Sequence, residues 1–504
     1  MKALKKGAFN IAYKGLDISA YIGPECGSRC QGENFKEQLL FDLENYFACG
    51  FKYLYIEEVT AESFAIYNKG LGKEKKGDLF YLLDIALEYE RLHGEGSCPV
   101  LINERNILNA QSGWADFETV KDDIKNIYHQ LRKNYSTIFA GFLLRDEPRL
   151  YLFEKFVEVY DYVYNELGGN DLVYLFSLLP TDGTILGEPS YVPNFLVSES
   201  EQELHIGGLQ AFLTSDKYEG YLKKNVFGFI DKTYYVEYIY YLDKMATMLT
   251  ERNIKNVLFG CDVYPFRNID EGFRSYYISC VQAISDICKK YNFQMFLTIQ
   301  SYAETWIFTK FTNEAFLSLQ AFTALAYGCK HLSYFTYMEH FWQHDGGYTK
   351  AMLMLEEIDG KKQWKKTEYY DWVKSVNIRL KDFEILTAFE HKGSQCFIGD
   401  KPNLLQKQRE VIPHMDECLS IVSSTHDLLV GCFEHKESGV KAYLLVNYAD
   451  PSLKEPTHVC VEAEEKLFDK DGQYVHEKEF IIESGDAKLL FIKKNYLEDA
   501  EWNK

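Results

Sequence analysis

The feature that most constrains the fold of this chain is a regular alternation of short apolar runs with longer amphipathic stretches. Eight short runs are rich in β-branched and aromatic residues, as strands are. These runs are Ile18–Gly23, Tyr53–Glu58, Pro99–Glu104, Phe139–Asp146, Leu172–Leu178, Val257–Tyr264, Met295–Gln300 and Leu332–Tyr337. The stretches between them place apolar residues three and four positions apart, which is typical of surface helices. Examples are Asn34–Ala48, Asp78–His93, Phe117–Asn134 and Tyr151–Leu167.

Such an alternation requires parallel strands joined by crossover helices. Eight strand–helix units match the size of a (β/α)8 barrel with insertions. A doubly wound open sheet is the alternative fold, but no glycine-rich phosphate loop follows any predicted strand. We therefore predict an α/β fold in which residues 1–382 form a (β/α)8 TIM barrel.

The pattern changes after Asp382, where short β-like segments follow one another without long helices. Turn signals such as Asp471-Gly472 and Gly485-Asp486 separate these segments. The clearest of them are Leu428–Glu434, Lys441–Asn447, His458–Glu462 and Lys488–Lys493. We predict that residues 383–504 form a small antiparallel β-sandwich domain.

The charge balance excludes some classes of partner. The formal net charge is −20, and no basic cluster is present to attract nucleic acid or an anionic membrane. The 12 cysteines form no Cys-x-x-Cys pair, and neither a signal peptide nor a run of about 20 apolar residues is seen. We expect a reduced, cytoplasmic protein without a cofactor, and the sequence leaves a homo-oligomer open. Aromatic residues make up 16% of the chain; most are expected in the core, although aromatic faces also stack on sugars.

The fourth predicted strand ends abruptly in charged residues. Apolar residues 139–144 are followed by Arg145, Asp146, Glu147 and Pro148. Charges that end a buried strand are costly unless they are paired or functional, and (β/α)8 enzymes place catalytic groups at these strand ends. One interpretation is an Arg145–Glu147 ion pair that plugs the barrel mouth. The other makes Glu147 a general acid whose pKa is raised by an enclosed site.

The run Gly141-x-x-x-Arg145-Asp146-Glu147-Pro148 resembles the fourth-strand motif of clan A glycoside hydrolases, which usually ends in Asn-Glu-Pro. The glutamate of that motif is the acid/base, so the resemblance implies this role for Glu147. Asp146 stands where the family's asparagine contacts the sugar 2-hydroxyl. The Asp-Glu pair is also similar to that of substrate-assisted β-hexosaminidases, which implies that Asp146 orients a 2-acetamido group.

Two further strands are similar to those of glycosidase barrels. The sixth ends in Asp262-Val263-Tyr264-Pro265, like the Asp-x-Tyr-Pro segments of that superfamily. Asp262 is then a hydroxyl ligand or a second carboxylate and Tyr264 a binding or stacking residue; the competing interpretation is that Asp262 only caps a turn. The eighth strand and the helix before it resemble the last unit of sugar-cleaving barrels. We expect Tyr337, His340 and Trp342 to form an aromatic, substrate-binding rim.

The second catalytic carboxylate is less clearly marked. Retaining clan A enzymes carry their nucleophilic glutamate at the end of the seventh strand, where this chain has Gln300. Three mechanisms stay open. Glu147 pairs with Glu304 in double displacement, or with Asp262 across a water molecule, or Asp146 supports substrate assistance while Gln300 only binds sugar.

Charged or polar residues also end the second and third strands. We predict substrate contacts from Glu57, Asn103 and Glu104, and from Arg145 on the fourth strand. The single His-x-x-x-His spacing, at His340 and His344, precedes two glycines and argues for a loop rather than a metal site.

The residues alone predict a barrel with a carboxylate-rich mouth. The resemblance implies a glycoside hydrolase that cleaves an oligosaccharide or glycoside, with catalytic residues drawn from Glu147, Asp146, Glu304 and Asp262. The alternative is a carbohydrate-binding protein on a degenerate barrel that has lost its nucleophile at Gln300. A barrel lyase or isomerase is a third class, but the strand ends show neither a lysine base nor a metal cluster.

Overall fold

Parallel strands form the ring that the sequence predicts. The structure is a computed structural model that describes residues 4–21, 23–24, 35–57, 78–103, 117–143, 147–148, 153–178, 232–267, 272–273, 277–305, 308–339, 349–358, 361–401, 404 and 418–493. Within these ranges eight strands make one parallel sheet. They are β1 (Asp17–Ala20), β2 (Leu54–Glu57), β3 (Val100–Asn103), β4 (Phe139–Phe142), β5 (Val173–Leu178), β6 (Val257–Asp262), β7 (Gln294–Gln300) and β8 (His331–Phe335).

The sheet closes on itself. Each strand pairs with the next along the chain from β2 to β8, and β8 pairs with β1. The remaining gap is bridged where the backbone N–H groups of Lys52 and Tyr53 donate to the carbonyl oxygen of Ile18, at 2.7 and 3.2 Å. The fold is therefore the predicted (β/α)8 barrel, in which all carboxyl ends of the strands meet at one rim.

A helix follows each barrel strand in the described part of the chain. The helices are α1 (Phe35–Ala48), α2 (Asp78–His93), α3 (Phe117–Asn134), α4 (Phe153–Asp161), α5 (Lys232–Glu251), α6 (Tyr277–Tyr291), α7 (Ala315–Ala326) and α8 (Glu368–Leu380). A π-helical turn, Tyr162–Glu166, extends α4. The helices predicted from apolar spacing are confirmed to within two residues at each start.

Side-chain alternation along the strands separates two apolar layers. Tyr55, Leu101, Leu175, Leu258 and Phe296 belong to the cluster that fills the ring. The intervening residues, such as those at 54, 56, 174, 257 and 259, belong to the larger cluster that packs under the helices. Strand side chains alternate between the two faces of the sheet. The two clusters therefore also show whether a residue at the end of a strand faces the inside of the ring or the helices.

The C-terminal strands form two antiparallel sheets, which confirms the predicted sandwich. The strands are β9 (Glu390–Phe397), β10 (Leu419–Ser424), β11 (Leu428–Glu434), β12 (Lys441–Asn447), β13 (Thr457–Ala463), β14 (Leu467–Phe468), β15 (Glu479–Ile482) and β16 (Ala487–Ile492). Their orders are β9-β11-β12-β16-β14 and β10-β13-β15. The division at residue 382 lies inside the 3-10 helix Lys381–Ala388, so the position of the domain boundary stays a prediction.

The larger sandwich sheet also packs against the barrel. One face, including Val430 and Leu445, shares a core with the three-stranded sheet. The other face, including Leu429 and Leu444, joins the barrel's outer core next to the fully buried helix α7. At Gly431 the approach is so close that a Cβ atom would lie 2.4 Å from the carbonyl oxygen of Ala326.

Gly431→Ala is expected to lower the free energy of unfolding by about 1–3 kcal/mol, because backbone atoms of α7 occupy the space of the added methyl group. Gly393→Ala is the matched control: Gly393 lies on the neighbouring strand β9, and its new Cβ would meet no atom within 4 Å. Chemical denaturation of both variants checks this; equal stabilities would show that the sheet does not press on α7 as described.

A buried carboxylate joins the 3-10 helix to the closure of the barrel. The Glu384 side chain is 1% exposed and accepts hydrogen bonds from Lys5 and from Lys52, the latter at 2.7 Å. Lys52 also donates to the carbonyl oxygen of Leu16, just before β1. Burial alone would raise the pKa of Glu384, but the two ammonium groups outweigh burial and lower it.

We expect acid to weaken the protein through Glu384. A carboxylate whose folded pKa lies below its unfolded value, about 4.3, adds stability above that value and loses it as the pH falls through the folded pKa. The wild-type advantage over Glu384→Gln in unfolding free energy, about 1–3 kcal/mol at pH 7, should therefore shrink below about pH 4. Denaturation at pH 7 and pH 3.5 measures it; an advantage that persists at the lower pH would contradict this account.

Candidate active site

Glu147 lies at the rim in a strained backbone conformation. It follows β4 with φ = 47°, in the left-handed region that residues with a Cβ seldom adopt. Its backbone N–H donates to the carbonyl oxygen of Ser177 near the end of β5, at 2.9 Å, and its side chain is half-buried. Strained residues of this kind cost about 1–3 kcal/mol and cluster at functional sites.

Asp262 is a carboxylate on the strand two places from β4 along the rim. It ends β6 and is half-buried. Its side chain shares the inner face with Leu258, four residues earlier, because alternate strand residues point the same way. Only β5 separates β4 from β6, and neighbouring strands lie about 4.8 Å apart, so the two main chains are separated by roughly 10 Å.

An aromatic cluster lines the adjacent part of the rim. The Tyr264 ring lies 5.2 Å from that of Phe308 and 5.4 Å from that of Phe335, measured between centroids. Tyr302 contacts the same two phenylalanines at 6.0 Å each. Tyr264, Phe308 and Phe335 are half-buried. Sequence reasoning missed Phe308 and Phe335 as rim residues, although Phe335 ends β8 and its strand position was the available signal.

Gln300 ties two loops together. Its side chain is fully buried; its Oε1 accepts from the N–H of Phe266 at 3.2 Å and its Nε2 donates to the carbonyl oxygen of Tyr302 at 3.3 Å. The predicted sugar contact therefore gains no support from this conformation, because both ends of the amide already have backbone partners. Gln300 instead positions the segment that carries Tyr264 beside the seventh strand.

Gln300→Leu is expected to lower the free energy of unfolding by about 1–3 kcal/mol, because it leaves the buried N–H of Phe266 and carbonyl of Tyr302 without that amide. Gln282→Leu serves as the control, since that half-buried side chain on α6 donates to the exposed Asp286 carboxylate four residues along the same helix. Thermal unfolding of both variants measures the difference. A Gln300→Leu variant as stable as the control would remove the positioning role.

Glu304 lies beyond the ring of strands and is buried. Its backbone exchanges hydrogen bonds with Phe308, at 3.1 and 3.2 Å, and residues Ala303–Glu304 pair with Thr349–Lys350. A second buried carboxylate, Glu339, follows β8 and accepts from the N–H of Leu355 and the hydroxyl of Thr349. Through these contacts Glu339 holds the segment after β8 to residues 349–355, a role that the sequence did not indicate.

The structure corrects the placement of Tyr337. Its ring is fully buried, 5.0 Å from that of Tyr46 and 5.9 Å from that of Phe51, on the helix side of the barrel. The chain leaves the strand after Phe335, where the N–H of Tyr337 bonds Tyr21. Strand alternation therefore no longer applies at Tyr337, and this tyrosine belongs to the core rather than to a sugar-binding rim.

Several predicted site residues lie outside the described residues. They are Glu104, Arg145, Asp146, His340 and Trp342. Glu57 and Asn103 are described in their backbone, where they stand opposite each other in β2 and β3. In the described ranges no group of three metal-ligating side chains is placed to hold an ion. No described helix has the length and apolar character needed to cross a bilayer.

Comparisons with known proteins return structural likenesses. A GH42 β-galactosidase from G. stearothermophilus, in a catalytic mutant form, has a TM-score of 0.47 and 8% identity, covering 95% of this chain and 98% of its own. A glucosidase from Croceicoccus marinus has a TM-score of 0.43 and 10% identity, with 98% of both chains covered. An endo-β-1,4-mannanase from Thermotoga petrophila has a TM-score of 0.38 and 11% identity, covering 95% of this chain and 98% of its own.

These neighbours are glycoside hydrolases by name, but their TM-scores are low. The fold assignment therefore rests on the strand order and closure described above. No protein-family model matches the chain, and no curated protein matches it in sequence.

Proposed function

We propose that the protein is a glycoside hydrolase in which Glu147 protonates the departing oxygen and Asp262 activates a water molecule. The observation that carries the proposal is the strained, half-buried Glu147 at the carboxyl end of β4, in the motif that resembles the clan A acid/base. A carboxylic acid at the mouth of a barrel can donate a proton where the leaving group emerges.

The arrangement of strands supports Asp262 as the partner. A glutamate and an aspartate that extend toward each other from backbones roughly 10 Å apart can hold their carboxyl groups about 6.5–9.5 Å apart, the separation that admits a water molecule. Glu304 is less suitable in the described conformation because its side chain is buried and its backbone lies in a separate two-stranded ladder. Hydrolysis by this pair would invert the anomeric centre.

The aromatic cluster supports a sugar substrate. Tyr264, two residues after Asp262, forms a cluster of half-buried rings with Phe308 and Phe335. Flat aromatic surface suits the apolar faces of pyranose rings, while the carboxylates suit hydroxyl groups. The substrate we propose is therefore a neutral glycoside or oligosaccharide.

The test measures kcat/KM for aryl and alkyl glycosides, N-acetylhexosaminides included, in the wild type and in Glu147→Gln. We expect a fall of about 10²–10⁴-fold for alkyl glycosides and a much smaller one for dinitrophenyl glycosides, whose leaving group needs no proton. Asp262→Asn should slow both classes alike. Unchanged turnover of alkyl glycosides in Glu147→Gln would reject the acid assignment.

A second candidate function is sugar binding without hydrolysis. The observation that favours it concerns Gln300, which ends β7 and bonds the backbone of Phe266 and Tyr302. Retaining clan A enzymes, which the β4 motif resembles, carry their nucleophilic glutamate at this position. Calorimetric binding of an oligosaccharide with no turnover of any glycoside would select this function. Turnover only of N-acetylated substrates, slowed by Asp146→Asn, would instead select substrate assistance.

A further inference from the structure

A second concave site lies at the opposite end of the barrel from Glu147. A cavity of about 420 Å³ opens between the amino ends of β7 and β8, the C-terminal turns of α6 and α7, and the start of the sandwich. This volume falls within the usual range for small-molecule sites. Its apolar walls include Phe293, Phe383, Phe389 and Phe433.

Lys330 brings a positive charge into this cavity. The residue enters β8, and its backbone is fixed by hydrogen bonds to Met295 and Asp17. No hydrogen bond or ion pair reaches its ammonium group from the described residues, although the side chain is half-buried. Burial lowers the pKa of Lys330; the Glu390 carboxylate opposes this shift and the Lys14 ammonium adds to it.

The neighbouring groups compensate that charge only in part. Glu390 is committed to Lys392 and Lys436, at 2.8 and 3.4 Å. His391 contacts Ser285 and Ser394 through its two ring nitrogens, and burial lowers its pKa to about 3, so the ring is neutral. Lys289, also on the cavity wall, adds a second positive charge and uses one N–H for the carbonyl of Lys392.

A partly desolvated ammonium without a counter-ion is costly, and proteins ordinarily pair such charges. In a chain of net charge −20, two lysines facing one cavity are a local exception. Among the described residues no carboxylate is hydrogen-bonded to Lys330, and an anion small enough for the cavity would supply that partner. Four phenylalanines line part of the cavity, and polar side chains line the rest. We therefore expect the rest of that ligand to carry an apolar ring that packs against these phenylalanines.

We propose that this cavity, the Lys330 cleft, binds a small organic carboxylate, with its carboxyl group on Lys330 and its apolar body against Phe293, Phe383 and Phe389. The binding is separate from glycoside cleavage and does not depend on it, because the cleft and Glu147 lie at opposite ends of the barrel.

The proposal is tested with sodium benzoate and the full chain at constant ionic strength. Isothermal titration calorimetry measures benzoate binding, and thermal unfolding measures the effect of benzoate on Tm. We expect saturable binding and a rise in Tm, with at least tenfold weaker affinity in Lys330→Met and recovery of much of it in Lys330→Arg. Lys478→Met, on the exposed sandwich surface, should bind benzoate as the wild type does. Benzyl alcohol, which has the ring without the charge, should bind far more weakly.

Without ligand, Lys330→Met should be as stable as the wild type or more stable, since it removes an unpaired charge. A large loss of Tm in that variant would show that the ammonium has a structural partner and would overturn the proposal. Absence of saturable benzoate binding would overturn it too. Equal affinity in Lys330→Met, or equal binding of benzyl alcohol, would show that charge does not select the ligand and would reject the cleft as a carboxylate site.

Discussion

The closure of the barrel between β1 and β2 is the constraint on which the rest of the structure depends. Two backbone hydrogen bonds to Ile18 complete the ring, and the same segment carries Lys52, whose ammonium binds Glu384. Glu384 lies on the 3-10 helix that leads into the sandwich. A single buried carboxylate thus connects the N-terminal segment, the ring closure and the second domain. A closed ring then gathers eight strand ends at one rim.

The rim combines strain, charge and aromatic surface. The backbone N–H of Glu147, which has a left-handed conformation, bonds β5, and Asp262 lies on the inner face two strands from β4. The Tyr264 ring meets Phe308 edge-on and Phe335 at a tilt. Gln300 and Glu339 support this surface through hydrogen bonds to backbone groups and, for Glu339, to the Thr349 hydroxyl. Some polar residues at the strand ends face the barrel mouth, and others hold the surrounding loops in place. These two roles explain why polar side chains at strand ends differ so much in burial.

The sequence predicts the fold well because buried parallel strands are nearly continuous apolar runs. All eight barrel strands lie where the runs predict, but their ends differ: the run Leu332–Tyr337 yields the strand His331–Phe335. Apolar residues continue past the last ladder hydrogen bond, so composition does not show where pairing stops. Tyr337 was misplaced for this reason.

The site is less predictable than the fold. Strand position and the motif identify Glu147 from the sequence. The alternation of side chains along β6 predicts that Asp262 lies on the inner face, like Leu258. The positive φ of Glu147 carries no sequence signal, because no glycine stands there. The structural role of Gln300 depends on the path of the chain after β6, which brings the N–H of Phe266 to the Gln300 side chain. The roles of Asp146, His340 and Trp342 stay predictions.

The anomeric configuration of the first product formed tests the central claim most directly. Proton NMR during the initial minutes of hydrolysis, before mutarotation, distinguishes the two anomers. A water molecule held between Glu147 and Asp262 predicts a product of inverted configuration. A product of retained configuration would contradict this account and transfer the second catalytic role to Glu304 or to the substrate's own acetamido group.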